Sequence, residues 1–137
     1  MPVNITTKGR YALRIMIDLA QNGGEDAVSL KAVAQRQGIS MKYLESIVSV
    51  LHKAGYVQSF RGKNGGYALS RAPEEYCIGD LLRLTEGSLA PVSCLDSGCP
   101  NAESCITLPL WAGLDRRIDE YLRQITRGDL LNGTVPE

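Results

Sequence analysis

Histidine, tryptophan and phenylalanine are nearly missing from this chain, with one of each in 137 residues. The single histidine, His52, has no paired acid or base and no nucleophile motif around it, which argues against an enzyme. No stretch approaches the roughly 18 consecutive apolar residues of a membrane span, so membrane insertion is not expected. The opening residues, Met1 to Arg10, lack the basic, apolar, small-residue order of a secretory leader. The four cysteines are therefore expected in the reducing cytoplasm, where a disulfide scaffold does not persist. The remaining composition, 44% hydrophobic and 22% charged, is that of one ordinary domain with appendages.

A formal net charge of zero hides an asymmetry. Residues 1–72 carry ten Lys and Arg against four Asp and Glu, while residues 73–137 carry five against eleven. That split fits a half that binds a polyanion joined to a half with another task, and equally fits two solvated faces of opposite charge.

Apolar periodicity supplies the elements. Lys8 to Gln21 reads as a helix with Ala12, Ile15, Met16 and Leu19 on one face, capped by Thr6 or Thr7. A short helix follows from the cap Ser29 through Leu30, Val33 and Ala34 to Gln37, closed by Gly38. A third, from Met41 to Ala54 behind the cap Ser40, turns Leu44, Ile47, Val48 and Leu51 inward and stops at Gly55. Two helices about the tight turn Gly38-Ile39-Ser40 match a helix-turn-helix, whose second helix enters the DNA major groove.

Tyr56 to Phe60 alternates like a strand, Arg61 to Gly66 is a glycine-rich basic turn with Lys63 in it, and Tyr67 to Ser70 reads as the returning strand. A hairpin there is a wing, whose cationic tip lies along phosphates or enters a narrow minor groove. Glycines at the tip permit positive φ and close approach of backbone N–H groups to phosphate. The expected fold is mainly α with a small β-hairpin: a winged helix-turn-helix domain over 1–87, a cysteine-bearing loop over 88–107, a long helix over 108–126 and a tail over 127–137.

Past Pro73, Ile78 to Thr85 reads as a short helix with Ile78, Leu81 and Leu82 packing back on the winged domain, ended by Gly87. Ser88 to Ser104 is a polar loop of little periodicity. In the last helix, Trp111, Leu114, Ile118, Tyr121 and Ile125 recur at spacings of 3, 4, 3 and 4, the seam pattern of a helix that pairs with a partner helix. Those five are the candidate dimerisation residues. A symmetric homodimer would present two recognition helices to a pseudo-palindromic operator in double-stranded DNA.

Cys94, Cys99 and Cys105 fall within twelve residues, spaced C-x4-C-x5-C, and mark a metal or redox site. Zinc ordinarily takes four N or S ligands, and these gaps are wider than those of a common zinc knuckle. Reversible thiol oxidation without metal is a second alternative and three inert cysteines a third. Cys77, between Tyr76 and Ile78, reads as a packing or capping residue.

Taken together, the opening Thr-Lys-Gly-Arg-Tyr-Ala-Leu, the run Gln37-Gly38-Ile39-Ser40 with Tyr43-Leu44-Glu45, and Arg61-Gly62-x-x-Gly65-Gly66-Tyr67 resemble the Rrf2-type winged-helix repressors, the group of IscR, NsrR and CymR. The resemblance covers residues 4–126. It implies a cytoplasmic homodimeric transcription regulator and, in several branches, an iron-sulfur cluster, [4Fe-4S] or [2Fe-2S], held by three cysteines at the positions of Cys94, Cys99 and Cys105. The cysteine-metabolism branch lacks those cysteines, so the chain looks more like the cluster-binding branches.

Carried over by residue, the resemblance assigns DNA contacts to Ser40, Lys42, Tyr43, Glu45 and Ser46 at the start of the recognition helix, and to Arg61, Gly62, Gly65, Gly66 and Tyr67 in the wing. Their chemistry agrees: Lys42 and Arg61 bring charge, Ser40 and Tyr43 donors, and Glu45 an acceptor for a cytosine amino group. Ser40 also reads simply as a cap, and Tyr43 and Tyr67 as rim or core aromatics. Thr7, Lys8 and Arg10 add backbone contacts, since helix N-termini and basic side chains both favour phosphate. The chain departs from the family at the fourth cluster ligand. Where the IscR pattern has a histidine it has Leu108, and where the NsrR pattern has an aspartate it has Arg10. Asp96, Glu103, a partner-chain group or a small molecule are the remaining candidates. Read this way, the chain is a regulator whose cluster senses iron-sulfur status, iron, oxygen or nitric oxide. A cluster-free regulator of sulfur metabolism, a winged-helix protein-interaction module and an electron carrier are the alternatives.

Overall fold

The computed structural model describes residues 5–23, 26–63, 65–92, 94–98, 102–133 and 135. The chain begins with three helices, α1 (Thr7–Asn22), α2 (Leu30–Gln37) and α3 (Met41–Lys53). Each starts on a hydroxyl cap: Thr6 accepts from the Gly9 N–H, Ser29 from Ala32 and Ser40 from Tyr43. Gly38 takes the left-handed conformation at φ 67° and lets α2 stop within a residue of the next cap, which makes the helix-turn-helix.

The faces read from periodicity meet in one core. Ala12, Ile15, Met16 and Leu19 of α1 pack with Val33 and Ala34 of α2 and with Leu44, Ile47, Val48 and Leu51 of α3, all of them buried. Each of the larger aliphatic chains contributes roughly 1.5–3 kcal/mol by leaving water.

Strands β1 (Val57–Phe60) and β2 (Gly66–Leu69) pair antiparallel with Val57 opposite Leu69 and Phe60 opposite Gly66. Both strands are set slightly off the sequence reading, because Tyr56 and Ser70 serve the hairpin's base. The Tyr56 carbonyl accepts from the Ser70 N–H and from the buried Tyr76 hydroxyl, which in turn accepts from Arg71 N–H. The other end of β2 is fixed by a two-way bridge between Val28 and Tyr67 at 2.8 and 2.9 Å. The result is a winged helix, mainly α with one hairpin.

Helix α4 (Ile78–Glu86) packs along α1 and ends at Gly87, φ 83°. Among the described residues after Gly87 are a one-turn helix α5 (Cys94–Ser97) and a 3-10 turn at Ala102–Ser104, where a loop of little periodicity was expected. Helix α6 (Leu108–Gln124) follows, then α7 (Arg127–Asn132) where a tail was expected. Thr126 and Asp129 form a reciprocal capping box that starts α7, and Gly128 packs against Glu74.

Helix α6 corrects the seam. Ile125 is 4% exposed, buried with Ile78, Leu82 and Leu89, and its carbonyl accepts from the Ile78 N–H. It has no surface left for a partner chain. Ile118 and Leu122 also pack against that cluster, whereas Leu110, Leu114 and Tyr121 are exposed. At about 100° per residue Leu114, Ile118 and Tyr121 stay within about 60° of one another, so they form one stripe with Ile118 on its inner edge, and Ile125 lies just past the helix end in extended backbone. Ile118 and Ile125 look into the chain, while Leu114 and Tyr121 look out.

Candidate nucleic-acid interface and cysteine loop

Of the contacts expected at the start of α3, all but Tyr43 are exposed. Lys42, Glu45 and Ser46 are open to solvent, and so is Met41. Ser40 is exposed too, but its hydroxyl oxygen is occupied by the Tyr43 N–H at 3.1 Å, and the Ser46 hydroxyl donates to the Tyr43 carbonyl at 2.6 Å. Tyr43 is half-buried and sets its ring edge-on to Tyr11 with centroids 6.0 Å apart. That packing joins the start of α3 to the first turns of α1, where Thr7 and Arg10 are exposed and Lys8 half-buried. Tyr11 also lies under the Arg14 guanidinium, 4.9 Å from the ring centroid, and Arg14 donates to Gln37 at 2.8 Å.

At the wing tip Arg61, Gly62 and Lys63 are exposed, and Gly62 has φ 105° with open space around it. Gly65 and Gly66 have structural reasons of their own. The Gly65 N–H is committed to the Gly62 carbonyl at 3.0 Å, so it is not free for a phosphate. Gly66 has φ 153°, and a Cβ there would run into the Val28 backbone. Tyr67 is half-buried against the core, its ring edge-on to the exposed His52. His52 sits in the last turn of α3, where a cation is favoured by the helix dipole.

Two of the three loop cysteines lie within the described residues; Cys99 lies outside them. Cys94 opens α5 and Cys105 comes just before α6, both half-buried and free. The Cys105 thiol is held below its ordinary value, first by the Thr107 hydroxyl 3.4 Å away and then by the backbone N–H groups of Thr107 and Leu108. Donors aimed at sulfur favour the thiolate, the form that binds metal. Among the described residues no three metal-ligating side chains converge. Of the fourth-ligand candidates, Asp96 accepts from the Ser88 hydroxyl at 2.7 Å and Glu103 is exposed. Cys77 stands at the N-cap of α4 without a side-chain cap bond; its thiol donates to the Leu122 carbonyl at 3.6 Å, tying α4 to α6.

The sequence profile of the Rrf2 family, described as an iron-dependent transcriptional regulator, matches residues 5–133. The chain belongs to the Rrf2 family. It is 40% identical over 131 residues to Protein rrf2 of Nitratidesulfovibrio vulgaris, covering 94% of this chain and 87% of that protein. Against the HTH-type transcriptional regulator IscR of Erwinia tasmaniensis the identity is 39%, covering 95% and 79%. Two solved structures are close in shape. CymR, the global cysteine regulator of B. subtilis, aligns with a TM-score of 0.79 at 41% identity over 96% of this chain and 98% of its own. IscR of T. potens aligns at 0.77 and 42% identity over 95% and 87%. This Rrf2 protein is thus a DNA-binding transcription regulator and not an enzyme. Among the described residues, no helix is long and apolar enough to cross a membrane.

The residues that periodicity missed are those that hold the reading elements in place. Tyr11, Arg14, Asp18, Arg36 and Gln37 link α1 with α2 and α3, and Tyr76 closes the wing's base. Their partners are distant in sequence, and only the capping and stop residues carried a local signal.

Proposed function

We propose that this Rrf2 protein is a cytoplasmic homodimeric repressor whose binding to a pseudo-palindromic operator is modulated by an iron-sulfur cluster on Cys94, Cys99 and Cys105. The observation that carries the reading is the placement of Cys105: a half-buried thiol at the junction of the cysteine loop and α6, 3.4 Å from the Thr107 hydroxyl. Three thiolates in one loop are the donor set of a cluster with one site completed from elsewhere. The cluster would supply a redox- and iron-sensitive group that grips the two ends of the loop together. The chain's own residues do the reading: Lys42, Glu45 and Ser46 toward base edges and phosphate, Arg61 and Lys63 toward the backbone, and Thr7, Lys8 and Arg10 toward phosphate at the start of α1.

Helix α6 supports the dimer. None of its 17 residues is buried in the single chain. A groove of about 720 Å³ runs along its outer face, lined by Pro109, Leu110, Gly113 and Leu114 with Arg116, Arg117 and Glu120. Leu110 and Leu114, both exposed, offer a partner an apolar surface along that groove.

Such a switch requires only that the cluster-loaded and cluster-free dimers differ in DNA affinity, a coupling typically of about 1–3 kcal/mol. The test is an operator titration of the wild type with and without cluster beside Cys99→Ala. Gating predicts that Cys99→Ala matches the cluster-free wild type and differs from the loaded one; identical binding by all three removes it.

The likeness to CymR favours a second reading, a cluster-free regulator of sulfur metabolism that responds through thiol oxidation or a partner protein. Under that reading the purified protein is colourless, and mild peroxide changes operator affinity in the wild type but not in Cys105→Ser.

A further inference from the structure

The last residue of α4, Glu86, reaches back across the fold to the first turn of α1. Its Oε1 accepts from the Thr6 N–H at 3.1 Å and from the Thr6 hydroxyl at 2.6 Å. The same Thr6 oxygen accepts from the Gly9 N–H, so one carboxylate oxygen steadies the residue that caps α1. The approach is close enough that a Cβ on Gly9, which is buried, would clash with Glu86 Oε1. On its other side Glu86 abuts Gly87, where α4 stops and the chain turns toward Cys94. Helix α4 is also joined to α6, through Arg83 and Asp119 at 2.7 Å.

We propose that Glu86 is a positioning residue for DNA binding, which sets the first turn of α1 and passes to it any rearrangement of the cysteine loop. The proposal rests on reading Thr7, Lys8 and Arg10 as phosphate contacts. Its physical content is acceptance rather than charge. Both donors belong to Thr6, and an amide oxygen in place of the carboxylate oxygen can take the same two bonds. Without that acceptor, the cap loses its anchor and the backbone N–H groups and basic side chains that follow lose their fixed aim.

The experiment is an anisotropy titration of full-length protein on operator DNA, cluster-loaded and cluster-free, for Glu86→Ala, Glu86→Gln and a Lys8→Ala/Arg10→Ala double variant. Glu86→Ala is expected to lose about tenfold in affinity, the worth of one to two hydrogen bonds. The difference between its loaded and cluster-free forms should shrink, and the first-turn amides of α1 should exchange faster. Glu86→Gln should restore affinity, cluster dependence and amide protection together, which a general loss of stability would not explain. Should Glu86→Ala fail to fold, Thr6→Val keeps the backbone N–H bond to Glu86 while removing the hydroxyl that both donates to Glu86 and caps α1, and is expected to weaken binding in the same sense. Wild-type affinity and cluster dependence in Glu86→Ala, with the double variant weakened, would overturn the proposal while leaving the phosphate reading intact. A double variant with unchanged affinity and salt slope would overturn the phosphate reading and the proposal with it.

Discussion

Asp18 of α1 and Arg36 of α2 form a forked ion pair in which Arg36 Nη2 lies 2.6 Å from Oδ1 and Nε 3.0 Å from Oδ2. The carboxylate is buried at 2% exposure, whereas the guanidinium remains 38% exposed, so the cost of leaving water falls mostly on Asp18. Burial alone would raise its pKa. Hydrogen bonds from Arg36, Gln37 and Asn22 outweigh that and hold the carboxyl below its ordinary value. The pair ties α2 to α1, and α2 leads straight into α3.

Because the folded-state pKa of Asp18 is depressed, its contribution is complete above the unfolded value of about 3.9 and is lost as pH falls through the lower folded value. Asp18→Ala is expected to cost roughly 1–3 kcal/mol at neutral pH. Denaturation followed from about pH 7 down to about pH 2 should show the variant and wild type converging only in the acid range. A constant difference across that range would mean that the variant acts through packing.

At the wing, Arg61→Ala should weaken operator binding and flatten the dependence of log K on log salt by about 0.9 for each phosphate that the guanidinium neutralises. Unchanged affinity with unchanged slope would remove the wing tip from the interface.

Gly66→Ala tests a different role in the same hairpin. A methyl group there meets the Val28 backbone at a φ that side chains rarely adopt, so a loss of roughly 1–3 kcal/mol is expected in thermal or urea unfolding. If stability holds and only DNA affinity falls, the glycine serves phosphate approach and not strand docking.

The outward edge of α6 and the buried Ile125 just beyond the helix make opposite predictions. Leu114→Asp should dissociate the proposed dimer in sedimentation while leaving the winged domain folded. Ile125→Ala should destabilise the protomer by about 2–4 kcal/mol through a core cavity. If Leu114→Asp remains dimeric, the outward face of α6 is not the seam.

What could be read locally in the sequence was the punctuation of the winged domain: Ser29 and Ser40 as caps, Gly38 and Gly87 as stops, and the apolar faces between them. Periodicity reveals that α6 has an apolar stripe but not which neighbour covers it, and Ile125 is the residue on which that ambiguity fell. Helix α7 was missed although Thr126-x-x-Asp129 is a capping-box spacing, because the segment is short and follows a long helix without a glycine stop. The pairs Asp18 with Arg36 and Thr6 with Glu86 had no local signal at all, since polar partners 18 and 80 residues apart meet only once the fold exists. The cysteine triplet was visible from spacing alone, while the downward pull on the Cys105 pKa depends on where the fold places Thr107 and Leu108 at the start of α6.

The most direct measurement of the central claim is iron and acid-labile sulfide analysis of anaerobically purified protein, with its visible spectrum. The account predicts stoichiometric iron and sulfide and a coloured protein, both lost in Cys94→Ala, Cys99→Ala and Cys105→Ala. A colourless wild type, metal-free or carrying zinc, would contradict it.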